Sequence, residues 1–172
     1  MSIFDIFKKK KTEDKSMPNS NMDIEWVKNG WSVATKLLST LRPDIIPCVS
    51  KVPTMVFEDK FIIYYAKDPT KVPQEEYWII NGAFPPALID AAKTENERDA
   101  IKIFGQIYQH DGQVIQGKIT GDFKLPLFTI EKSKEDKNFG VFLENIGNYL
   151  CSMEKSFPWK EYGINGKVFS VE

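Results

Sequence analysis

Hydrophobic side chains recur at alternating spacings of three and four near the start of the chain: Ile24, Val27, Trp31, Ala34, Leu38 and Leu41. That period places them on one face of a helix and predicts one over 22–41. Asn21 or Asp23 can cap its first N–H groups, Pro43 stops it, and Gly30 weakens it slightly. The pattern then changes. Two apolar runs, 54–57 and 61–66, flank the polar Glu58, Asp59 and Lys60, which reads as an antiparallel hairpin. The second run, FIIYYA, is apolar or aromatic on both faces, as in a central strand covered on two sides. A third strand over 77–80 ends at Asn81-Gly82.

Pro85-Pro86 suits the first turn of a helical region. Within it Leu88, Ile89 and Ala92 form one apolar patch, and Ala100, Ile101, Phe104, Ile107 and Tyr108 another. The polar stretch TENERD between them predicts a break. His110-Asp111-Gly112 has turn chemistry and closes the region. Candidate strands follow over 113–119 and 125–130, joined across Thr120-Gly121-Asp122. A helix over 138–153 would turn Phe139, Phe142, Leu143, Ile146, Leu150 and Met153 inward. Asn165-Gly166 then leads into a last strand over 167–171. This order predicts an α+β fold: a single domain, with a mainly antiparallel sheet of about five to seven strands and helices packed on one face.

Residues 1–21 stand apart as a flexible lysine-rich tail, with the single globular domain over 22–172. After Ile3, Phe4, Ile6 and Phe7 the tail is charged and then rich in Ser, Asn and Pro, with nothing periodic to bury. Its apolar start and Lys8–Lys11 allow membrane contact through residues 1–11 only. That order is the reverse of a secretion signal, and no run approaches the length of a membrane span. A net charge of −1 argues against a dedicated nucleic-acid binder. So does the basic inventory, which is 21 Lys against two Arg, Arg42 and Arg98. Cys48 and Cys151 are read as reduced thiols, and the compartment as cytoplasm.

The motifs that could carry chemistry are sparse. Gly112 to Lys118 matches GxxxxGK, but Ile119 stands where a phosphate-binding loop needs Ser or Thr. One histidine and two distant cysteines leave no metal-ligand spacing, and no cofactor fingerprint is present. The weak catalytic candidates are His110 with Asp111, as an acid–base pair, and Cys48, as a nucleophile that follows Pro47. Cys151 follows an inward-facing Leu150 on the last helix. The acidic Glu95, Glu97 and Asp99 could face a basic partner. Phe84, Trp159 and Tyr162 lie in segments expected to be exposed, and are the aromatic candidates for a partner surface.

These features favour a non-catalytic cytoplasmic domain that binds another protein. Size, charge and mixed fold are compatible with a bacterial toxin-neutralising immunity protein or a secretion adaptor. The alternatives are a small enzyme using Cys48 or His110 and Asp111, and a peripheral membrane protein held by residues 1–11.

Overall fold

The computed structural model describes residues 24–44, 48–57 and 60–159. Helix α1 (Ile24–Leu41) comes first, followed by strands β1 (Cys48–Val49), β2 (Met55–Phe57), β3 (Phe61–Asp68), β4 (Glu75–Gly82) and β5 (Ala87–Asp90). A 3-10 turn (Ala91–Lys93) then leads into α2 (Glu97–Ile115), the short α3 (Leu127–Ile130) and α4 (Lys137–Ser156). The result is one α+β domain built on a five-stranded antiparallel sheet. The expected tail and the expected strand over 167–171 lie outside the described residues.

The hairpin forms where the alternation predicted it, with Met55 opposite Ile63 and Phe57 opposite Phe61. β1 and β2 lie one after the other along the same side of β3, which pairs on its other side with β4. Between them, Ser50 N–H and Thr54 N–H still donate to β3, at 3.0 and 2.9 Å, so this irregular stretch remains attached to the sheet. β5 pairs with β4 and forms the opposite edge.

Burial on both faces of β3 has a simple cause: helices cover both sides of the sheet, not the single side expected. Ile62, Tyr64, Ala66, Tyr77 and Ile79 face α1, whose Ala34, Leu37 and Leu38 are buried against them. Leu41, expected to face inward, is exposed. Gly30 is where α1 comes closest, since a methyl group there would lie 2.8 Å from Ile62 Cδ1 and 3.1 Å from Asn81 Oδ1. The buried Asn81 amide donates to the Gly30 carbonyl at 3.0 Å. On the other face Phe61, Ile63, Trp78, Ile80 and Ile89 meet α2 and α4, which supply Ile101, Phe104, Tyr108, Leu143, Ile146 and Leu150.

Three expectations fail after β4. The segment after Pro85-Pro86 is strand β5, not a helix. Its entry is held by the Tyr108 hydroxyl, which donates to the Pro85 carbonyl. Its exit is fixed by Asp90, whose carboxylate accepts the Ala92 N–H at 2.9 Å. The second failure is at His110, Asp111 and Gly112, which form no turn because α2 runs straight through them to Ile115. The third follows from it. Residues 113–119 and 125–130 are not strands: the first completes α2 and its exit, and the second contains α3. Gly117, at φ 72°, ends α2 with its N–H on Val114 O and the Lys118 N–H on Gln113 O, a glycine-terminated helix end. The GxxxxGK match therefore runs down the close of a helix, the reverse of the strand-to-helix turn that cradles phosphate.

Candidate binding groove

Among the described residues β5 is an edge strand, and alternate residues of such a strand turn N–H and C=O groups away from their neighbour. Among the described residues no backbone bond links Ala87–Asp90 to anything beyond β4. α2 runs antiparallel to β5: Glu97 follows closely on the 3-10 turn at the exit of β5, and Tyr108 reaches Pro85 at its entry. Between strand and helix lies a groove of about 530 Å³. Ile89, Ile103 and Ile107 give it an apolar floor, Leu88 borders it from β5 although its side chain packs on the α1 face, and Asp90, Lys93, Gln106, His110 and Lys124 form a polar rim. A second hollow of about 640 Å³ borders the same strand on the other face of the sheet, where it too touches Leu88 and Asp90.

The rim is built by the local structure. Lys93 ends the 3-10 turn that follows β5. Lys124 is set by Asp111, which is fully buried on α2. One Asp111 oxygen accepts the Lys124 N–H at 3.0 Å, and the other accepts the Leu125 N–H at 2.7 Å. His110 Nδ1 lies 2.8 Å from the same carboxylate, although the two residues are adjacent on the helix. Its Nε2 faces the 117–126 loop, near Gly121. His110 and Asp111 are thus brought together as the acid–base reading required. The carboxylate, however, is already engaged in holding a loop to the core.

Cys48 lies on β1, at the opposite edge of the sheet from the groove. Cys151 sits on α4 against Gly105, and burial pushes its thiol up, the reverse of what activates a nucleophile. The acidic group at 95–99 is largely a helix start. Asn96 caps α2 by accepting the Asp99 N–H, while the Asp99 carboxylate accepts the Glu95 N–H. Glu95 is exposed, but Glu97 is buried. Phe84 and Trp159 are buried as well, at 8% and 5% exposure, not on the surface as expected. Phe84 packs edge-on against Tyr108, and Trp159 against Phe157. Tyr162 lies outside the described residues. Among the described residues no three His, Cys, Asp or Glu side chains gather as metal ligands, and no helix is long and apolar enough to cross a membrane.

Burial also gives Glu97 a raised pKa. The folded chain therefore holds a proton that the unfolded chain releases, so stability falls as pH rises from 4.5 through the folded value. Glu97→Gln is expected to raise the urea midpoint at about pH 7.5 and to leave it unchanged at about pH 4. Equal midpoints at both pH values would overturn this.

Both arginines are engaged within the fold. Arg98 pairs with Glu154 at 2.9 Å. Arg42 joins Asp44 at 2.9 Å and Glu75 at 2.6 Å and donates to the Tyr77 hydroxyl, and its hydrogen bond holds the Asp44 carboxyl down at about 2. Sequence reading missed the groove itself. Ile107, grouped with the buried stripe of α2 in the sequence pattern, belongs instead with Ile103, four residues before it, on a second apolar line beside that stripe. Lys93 and Lys124 could not have been found in the sequence, since nothing local separates them from the other lysines.

No curated protein and no solved structure matches the chain. One family model matches residues 21–136, which takes in α1, the whole sheet, α2 and α3 and stops just before α4. The groove residues all fall within that span, and on this match the chain belongs to the DUF4826 family, described as a domain of unknown function.

Proposed function

We propose that this chain is a non-catalytic domain that binds another protein through the groove between β5 and α2. The observation that carries the reading is the contrast between that groove and the reactive side chains. Among the described residues an apolar floor with a charged rim lies open beside an edge strand, whereas Asp111 is engaged in loop docking and Cys151 is packed between helices. Pockets of this size with a few polar groups on an apolar lining suit recognition. Unpaired thiols at Cys48 and Cys151 support a reducing compartment, and we place the role in the cytoplasm. Toxin neutralisation and secretion-adaptor work both fit such a surface.

The test is capture from the native cell with the full chain as bait. A stoichiometric partner is expected, retained by Cys48→Ala and lost on the double reversal Lys93→Glu with Lys124→Glu. Capture that ignores the reversal, or no partner at all, would overturn the proposal. The oriented imidazole at the rim favours a second reading, acid–base chemistry by His110. If that is correct, His110→Ala abolishes a measurable turnover while thermal stability is kept.

A further inference from the structure

We infer that β5 takes an additional strand: an extended segment of a partner protein, apolar at its centre and carrying a carboxylate two residues to either side. This rests on the protein-binding reading of the groove and names how the partner is held.

Three observations converge on it. The first is the edge itself, whose outward N–H and C=O groups make no backbone bond beyond β4 among the described residues. The second is that hollows flank this edge on both faces of the sheet, about 530 Å³ on the α2 side and 640 Å³ on the α1 side. Leu88 and Asp90 border both. A rigid ligand or a helix would fill one hollow only. A strand sends successive side chains to opposite faces and fills the two together. The third is charge. Lys93 stands at the exit of β5, and Lys124 stands beside His110, just past the turn of α2 that reaches the entry. Among the described residues neither ammonium is in an ion pair. The two therefore bracket the apolar floor made by Ile103 and Ile107, and an incoming strand meets them with acidic side chains on either side of an apolar one.

β5 is only four residues long and is preceded by two prolines, so the ladder it can offer is short. Side chains in the hollows must then supply much of the affinity, and a dissociation constant on the order of 10–100 μM is expected for an isolated peptide.

The probe is the synthetic heptapeptide Thr-Glu-Val-Ile-Val-Glu-Thr, titrated into the full chain and followed by amide NMR. Two comparison peptides replace both glutamates by lysine, or methylate alternate backbone nitrogens. The expected result is saturable shifts at the amides of Leu88, Ile89 and Asp90, with slowed hydrogen exchange there. Affinity should fall about tenfold with the lysine peptide and with Lys93→Glu, and be lost on methylation. Binding that survives methylation, or shifts confined to α2, would overturn strand addition while leaving a groove-dependent partner capture intact. No binding of the heptapeptide together with failed capture removes both proposals. No binding together with groove-dependent capture removes this one alone.

Discussion

Gly147→Ala is expected to destabilise the protein by about 2–3 kcal/mol, although alanine is the better helix former by roughly 1 kcal/mol. The reason is the crossing of α2 and α4. A methyl group at Gly147 would lie 2.5 Å from the Gly105 carbonyl oxygen and 2.6 Å from the Gln109 nitrogen. The same contact repeats two turns along, where a methyl at Gly112 would lie 2.6 Å from both Gly140 O and Glu144 N. These obstacles are backbone, not the far ends of flexible side chains, so the helices must separate. Separation would loosen Phe104, Tyr108, Leu143 and Leu150 in the main core. A fall of roughly 5–10 °C in Tm follows for a domain of this size. The double variant Gly112→Ala with Gly147→Ala should cost less than the sum of the two, because the first substitution already opens the space the second needs. Full additivity, or a stabilising Gly147→Ala, would show that the helices do not meet backbone to backbone.

Replacing Asp111 by alanine is the second large effect, with an expected loss of about 3–4 kcal/mol. The substitution removes the acceptor for the N–H groups of Lys124 and Leu125, and each buried donor left unpaired costs roughly 1–3 kcal/mol. Leu125 is itself part of the core, so its segment cannot turn to water without giving up apolar burial. Asp111→Asn keeps one carbonyl oxygen as acceptor and should cost about half as much. Chemical denaturation measures the loss, and hydrogen exchange locates it: the Lys124 and Leu125 amides should exchange faster well before the amides of β3 and β4 do. A loss below about 1 kcal/mol would mean that the 117–126 loop is held by other contacts. The lysine at the groove's rim depends on the same clamp, so Asp111→Asn is also expected to weaken partner capture without touching the groove floor.

Part of this architecture follows from local pattern, and the reason is visible in particular residues. The spacing of Val27, Trp31, Ala34 and Leu38 allows only a helix, and α1 is there. FIIYYA, apolar on both sides, could only be a strand covered twice, and β3 is buried on both faces. In these segments the period of side-chain direction and the need to bury apolar surface point to the same answer. The last helix is likewise legible from its stripe, and α4 spans Lys137–Ser156.

What pattern could not decide lies wherever a residue serves a distant partner. His110, Asp111 and Gly112 carry turn chemistry by composition, yet each belongs in a helix for a tertiary reason. Gly112 lets α4 approach, Asp111 reaches a loop more than ten residues away, and His110 pairs with that carboxylate. Pro85-Pro86 is equally compatible with opening a helix or entering a strand, and the choice falls to the bonds that β4 offers and the hydroxyl of Tyr108. The groove is of this second kind. Its floor and rim come from β5, the turn after it, α2 and a loop, and their proximity exists only once the sheet edge and the helix have packed. Sequence by itself determined the covered central strands and the apolar faces of α1 and α4, because those depend on burial alone. Tertiary structure decided the helix crossing, the fate of the acidic and glycine residues, and the groove, because each depends on which backbone comes to lie against which.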